Sequence, residues 1–210
     1  MKRLTLLFFC LFTFTIIYAQ QKAVTETGEE VILLNNGTWQ YQNEDHWKET
    51  EIPTNTKKFE KNKKSTFLLK SKKLNVGFWL DPKTWSFRKA TENPDAEYEL
   101  KLKDGDLYGM VISEKVEIPL ETLKSIALEN GKAAAPDLKI VKEEYRTVNG
   151  LKVLLLQMHG SMQGIKVSYY GYYFSNTNGT VQFITYTAQN LLDSYKPKCD
   201  NLLNGLVEIN

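Results

Sequence analysis

Tyr169, Tyr170, Tyr172 and Tyr173 crowd around Gly171 in a single run, with Tyr186 and Tyr195 following. Six of the chain's 11 tyrosines thus fall in one stretch, a local excess that calls for a physical role. Strand alternation sends Tyr169 and Tyr173 one way and Tyr170, Tyr172 and Phe174 the other. Both sheet faces then become aromatic, and Gly171 leaves a notch where backbone or ligand could come close. Tyrosine clusters suit protein or sugar recognition, because each offers a large ring and a hydroxyl handle at low entropic cost. They equally suit a sheet packed between helices, and that structural role is preferred. Any pocket is expected along this strand, with Tyr169, Tyr170, Tyr172, Tyr173, Tyr186 and His159 as the candidate binding face.

His159 shares a strand face with Gln157 and Ser161, while Leu154, Leu156 and Met158 line the other. It has no assignable carboxylate partner or nucleophile, so no triad can be built, and a satisfied, half-buried histidine is expected. His46 lies among Glu44, Asp45 and Glu49 in a loop, where each ligand to a cation would have to be ordered at an entropic cost. Cys199, His46 and His159 are far apart in sequence, whereas a zinc centre needs three or four convergent ligands. No acid pair has a context that singles it out for glycoside hydrolysis. No catalytic residue, metal site or cofactor is therefore expected.

The elements that position these residues begin after an export signal. Lys2 and Arg3 precede an apolar run at 4–17, and Ala19 is a plausible cleavage point before Gln20, the order of a secretory signal peptide. The apolar core is too short for a comfortable membrane span. A periplasmic or secreted protein is expected, with no integral membrane segment once 1–19 are removed after Ala19. That cut removes Lys2 and Arg3 and no acid, so 27 basic residues become 25 against 25 acidic ones. A near-neutral chain offers no global basic surface, and a nucleic-acid partner is not expected. Cys199 is the one cysteine left and cannot form an internal disulfide; a packing thiol is expected.

Residues 20–43 read as a small β-meander: an extended piece at 24–26, a turn at Gly28, a strand at 30–34, a turn at Asn35-Asn36-Gly37 and a return strand at 38–42. Trp39 and Tyr41 share a face and would cover Val31 and Leu33. The pattern Thr25, Gly28, Val31, Leu33, Gly37-Thr38-Trp39 and Tyr41 resembles a short module at the start of many exported Bacteroidetes proteins, a likeness that implies export and no activity.

Residues 44–64 read as a charged linker, acidic first, and then from Lys57 to Lys73 there are eight lysines against Glu60 alone. Lys57, Lys58, Lys61, Lys63 and Lys64 form a candidate anion-binding arm for lipid headgroups or an acidic partner, worth ~1 kcal/mol per lysine at an anionic surface. The preferred reading is a solvated linker with an edge strand shielded by lysines.

Residues 65–210 carry strand patterns at 66–70, 74–80, 97–103 and 107–113, with a turn at Asp81-Pro82 that ends in Trp85. Pro119 opens a helix to Asn130, with Leu120, Leu123, Ile126 and Ala127 on one face and Gly131 as its stop. Four strands at 138–148, 151–161, 165–175 and 180–188 follow, joined by short turns that demand antiparallel neighbours. A helical region at 191–204, with Pro197 at a break or first turn between two helical pieces, and an extended tail at 206–209 close the chain. The class is α+β, an antiparallel sheet covered by helices.

This order resembles the PsbP-like fold of PsbP, the Ran-binding Mog proteins and DcrB-type envelope proteins. The matching residues are Val76-Gly77-Phe78-Trp79-Leu80, Asp81-Pro82, Trp85, the Asn149-Gly150 hairpin, and Leu202-Leu203 with Leu206-Val207-Glu208-Ile209. The family has no shared catalytic residues to carry over. The resemblance implies an exported, non-catalytic envelope protein that binds a protein partner or aids assembly. The alternatives are a glycan- or lipid-binding protein using the tyrosine-rich face and, last, a hydrolase using His159 as base.

Overall fold

The computed structural model describes residues 21–25, 30–34, 38–41, 51–91 and 93–209. The signal-like segment, Gly28, the 35–37 turn and the loop with His46 lie outside them. The chain divides into two compact units, Met1–Glu51 and Ile52–Asn210.

The first unit is a three-stranded antiparallel sheet of β1 (Gln21–Val24), β2 (Glu30–Leu33) and β3 (Trp39–Tyr41). Val31 faces Tyr41 and Leu33 faces Trp39 across the ladder. The Trp39 and Tyr41 rings meet edge-on at 5.0 Å, so the two aromatics do share a face.

The second unit is built on an eight-stranded sheet. Its strands are β4 (Thr54–Phe59), β7 (Trp85–Lys89), β8 (Ala96–Leu102), β9 (Tyr108–Glu114), β10 (Lys139–Val148), β11 (Leu151–Met162), β12 (Ile165–Asn176) and β13 (Gly179–Ala188), in the order β4-β10-β11-β12-β13-β9-β8-β7. The run β10 to β13 is a plain meander, as its short turns dictate. Asn149 and Gln163 adopt positive φ of 48° and 51° just before Gly150 and Gly164, the left-handed pairs that tight hairpins require.

Each face of this sheet has its own core. On one, a small sheet of β5 (Phe67–Lys70), β6 (Val76–Leu80) and β14 (Leu206–Glu208) joins helix α2 (Leu192–Leu203). Phe78 of β6 meets Phe183 of β13 at 4.8 Å, amid Leu80, Leu155, Tyr172 and Leu203. On the other, helix α1 (Leu120–Ala134) seats Leu123 and Ala127 against Leu154, Leu156, Tyr173 and Ile184.

Three expectations change and one strand is added. Residues 54–59 are not linker but β4, an edge strand parallel to β10. The sequence hides it because its support is remote: Tyr145 N–H donates to Pro53 O and Asn149 N–H to Phe59 O. Trp85 ends the Asp81 turn, its N–H donating to Asp81 O, and also opens a strand the sequence did not show, β7, which pairs with β8. Gly131 does not stop α1; a Cβ there would lie 2.3 Å from Leu138 Cδ2, so the glycine serves close packing inside the helix. Pro197 lies inside a single helix, which follows a 3-10 turn at Gln189–Leu191, rather than at a break between two.

Gly205 joins α2 to β14 where Trp79 N–H donates to its carbonyl, and a Cβ there would fall 1.9 Å from Trp79 O. Because the obstacle is backbone, it cannot swing aside. Gly205→Ala is expected to lower stability by about 1–3 kcal/mol, read as a fall in the urea midpoint; an unchanged midpoint would contradict this packing.

Candidate functional site

The alternation of β12 decides which tyrosines can meet a ligand. Tyr170 and Tyr172 point toward α2 and are buried. Their hydroxyls enter a polar clasp around Arg146 of β10, itself 6% exposed. Arg146 Nε donates to Glu144 Oε1 at 2.6 Å, and Nη1 to Tyr172 Oη at 3.0 Å and Asp200 Oδ1 at 3.1 Å. The Tyr170 hydroxyl donates to Asp200 and that of Tyr172 to Asn204, both on or next to α2. Phe59 of β4 covers the guanidinium at 4.5 Å. Burial pushes the Tyr172 hydroxyl up to about 12, so it stays protonated and able to donate. Burial opposes the charge on Arg146, but its hydrogen bonds to the Tyr172 hydroxyl and the Glu144 carboxylate outweigh it and keep the guanidinium a cation. These two tyrosines fasten α2 and β10 together and offer no surface.

His159 lies on this same side of the sheet, away from Tyr169 and Tyr186. Its ring nitrogens meet the side-chain amides of Gln157 at 2.9 Å and Gln189 at 3.0 Å. Burial, with Lys196 and Lys139 nearby, lowers its pKa below 6.5 and holds it neutral at pH 7. The histidine is thus satisfied by two amides, as a structural residue would be. Among the described residues, no group of three or more His, Cys, Asp or Glu side chains could hold a metal ion.

Tyr169, Tyr173 and Tyr186 point to the α1 side. Tyr173 is 1% exposed beneath the helix, but Tyr169 and Tyr186 are only half-buried. They belong to a cross-strand row whose register runs Met158, Tyr169, Tyr186, Tyr108, Lys101, Ser86 through β11, β12, β13, β9, β8 and β7. The rings of Tyr108 and Tyr186 stack at 5.6 Å and 20°, Tyr169 and Tyr186 lie 6.0 Å apart, and Lys101 Nζ caps Tyr108 at 5.6 Å. Beside the row, between α1 and β9, runs a groove of about 400 Å³ lined by Met110, Ile112, Tyr169, Tyr173, Ile184 and Ala134, among others. The notch expected at Gly171 is closed: a Cβ there would meet Phe183 O at 2.9 Å and Ile184 at 3.0 Å, because β13 fills it.

The six candidate residues therefore do not form one face. The structure splits them three and three, and Tyr108, missed in the sequence, completes the half-buried row. The strand at 107–113 was legible, but the place of Tyr108 beside Tyr186 depends on the non-local pairing of β9 with β13.

The five candidate lysines lie on β4 and in the turn that follows it, four of them exposed. Lys57 and Lys58 alternate to opposite faces of β4, and Lys57 lies over Phe59 at 5.5 Å. Lys61 donates to Ser65 O and caps Trp79 at 4.8 Å, while Lys63 and Lys64 sit exposed in a turn.

The large unit has the PsbP-like fold. It is similar to the solution structure of cyanobacterial PsbP (CyanoP) from Synechocystis sp. PCC 6803, with a TM-score of 0.53 and 16% identity, over 70% of this chain and 94% of that one. Weaker likenesses are to PA94 of Pseudomonas aeruginosa, a protein of unknown function described as a putative regulator (TM-score 0.44, 14% identity, 69% and 97% covered), and to LpqN of Mycobacterium tuberculosis, involved in cell envelope biogenesis (0.43, 11%, 64% and 83%). No protein-family model and no curated protein sequence matches the chain. No helix among the described residues is long and apolar enough to cross a membrane.

The clasp sets the stability prediction. Arg146→Ala leaves Glu144 without its main partner and is expected to cost about 3 kcal/mol at pH 7, whereas Tyr169→Phe leaves stability unchanged. Burial raises the Glu144 pKa, but hydrogen bonds from Arg146 and Asn55 outweigh it and hold it below 4.5. A depressed carboxylate stabilises above its unfolded pKa and loses that contribution as pH falls through its folded one. Wild-type stability should drop on acidification below pH 4.5, and drop less steeply in Arg146→Ala. Equal acid slopes in urea titrations of the two proteins would refute the clasp.

Proposed function

We propose that this chain is an exported, non-catalytic envelope protein whose PsbP-like unit binds a protein partner in the groove beside α1. The observation that carries this reading is the half-covered α1 face. Met110 and Ile112 stand half-buried on β9 beside α1, with buried Ile184 of β13 as the floor, against a helix edge of small residues that includes Ala134. An apolar groove of this size on one side of a well-packed sheet is a recognition surface, and aromatic and methionine side chains are the types enriched in interface cores.

Export is supported by the basic, apolar and small-residue order of residues 1–19. The absence of a catalytic role is supported by the state of the two best candidate groups. His159 is engaged by two amides, and burial raises the Cys199 thiol to about 11, so it is neither a thiolate nor accessible as a nucleophile.

Affinity capture from envelope extract tests the reading, with the wild-type protein and Met110→Glu as parallel baits and mass spectrometry as readout. One protein recovered near stoichiometrically by the wild type and reduced at least tenfold by Met110→Glu is expected, with Lys57→Glu on β4 capturing as well as wild type. A partner retained equally by Met110→Glu, or none above background, contradicts it.

A further inference from the structure

At the far end of the tyrosine row lies a second cavity of about 500 Å³ that the groove reading does not use. It is lined by Ser86 and Arg88 of β7, Glu99 and Lys101 of β8, Tyr108 of β9 and Tyr186 of β13, with Phe87 and Leu100 beside them. Its volume falls within the ~300–1,000 Å³ of small-molecule sites. We infer that this cleft is a binding site for a neutral oligosaccharide, seated against the face of Tyr108.

The chemistry of the walls selects among ligand classes. Arg88 Nε and Nη2 each lie 2.7 Å from Glu99 Oε2, and Thr91 N–H donates to Glu99 Oε1 at 3.1 Å. Glu99 is thus a carboxylate acceptor held in place by Arg88 and Thr91, its side chain 15% exposed. A phosphate or carboxylate would have to break the Arg88–Glu99 pair to reach the guanidinium, which leaves Lys101 as the one lining cation outside that pair. An apolar ligand fares no better, because it would strip water from Arg88, Glu99 and Lys101 with nothing to replace their hydrogen bonds.

A polyol meets both demands. Each sugar hydroxyl donates and accepts, which matches a wall where donors (Arg88, Lys101, the Tyr108 hydroxyl) alternate with acceptors (Glu99, and Ser86 Oγ, which itself donates to Lys101 O at 3.2 Å). The remaining surface a pyranose presents is its row of weakly positive C–H groups. The face of Tyr108 is electron-rich and already attracts a cation, since Lys101 Nζ stands 5.6 Å from its centroid. The opposite face of that ring is braced by Tyr186 at 5.6 Å, so the platform is held rigid before any ligand arrives. Four of the polar lining side chains come from two neighbouring strands in direct register, Ser86 with Lys101 and Arg88 with Glu99, which fixes their spacing without loops.

The test is a two-dimensional amide NMR titration of the ¹⁵N-labelled protein with chitotriose, maltotriose and inorganic phosphate, each to about 10 mM, where affinities near 1 mM are measurable. Saturable shifts confined to β7, β8, Tyr108 and Tyr186 with at least one trisaccharide, and none with phosphate, are expected. Tyr108→Ala should weaken that binding at least tenfold. Ser86→Trp, an exposed edge-strand change that fills the cleft without touching the core, should abolish it while the melting temperature holds. The inference is overturned by shifts with phosphate alone, by no saturable shift with either trisaccharide, or by binding that survives Ser86→Trp. None of these outcomes bears on partner capture through Met110, which lines the separate groove.

Discussion

The architecture rests on a mismatch of widths. Eight strands at about 4.8 Å spacing make a sheet roughly 34 Å across, whereas one helix with its side chains covers about 10–12 Å. Both faces of the central strands are apolar, so both must be covered. The α2 side solves this with a second sheet and a helix together, but the α1 side has one helix of 15 residues, which packs on β11 and β12. Toward β7 and β8 the uncovered face becomes polar, with Ser86, Arg88, Glu99 and Lys101 replacing hydrocarbon. Between those two solutions, on β9 and β13, it is mostly apolar and aromatic, with Gln182 as the polar exception on β13. The groove and the tyrosine row occupy that interval.

The clasp explains why the surface is on this side and not the other. Arg146 takes up Glu144, Asp200 and Tyr172 in one network, Tyr170 adds to Asp200, and Phe59 closes over the guanidinium. A buried cation so fully paired is costly to break and ties β4, β10, β12 and α2 into one register. It also consumes the two tyrosine hydroxyls that a ligand on the α2 face would need. With that face sealed, the proposed recognition surface falls to the residues one position away along β12.

How much of this was legible follows from whether the cause was local. The meander could be read from the turns at Asn149-Gly150 and Gln163-Gly164, and the division of the β12 tyrosines from strict alternation. The α+β class followed from element order. Strand β4 escaped because a lysine-rich segment earns its place only by pairing with β10, nearly a hundred residues on in the chain. Strand β7 escaped because Ser86 to Lys89 are exposed and nearly all polar, with β8 as their support. The meaning of Tyr108 and Arg146 depends on which strands are neighbours, and no local pattern states that.

The central claim is that a protein partner occupies the α1–β9 groove, and site-specific photocrosslinking reads it directly. A benzophenone amino acid placed at Met110, in the groove, is compared in envelope extract with the same group at Val141, an exposed position on β10. The account predicts a discrete adduct with another protein from position 110 and none from 141. An adduct from 141 alone, or from neither, would contradict it.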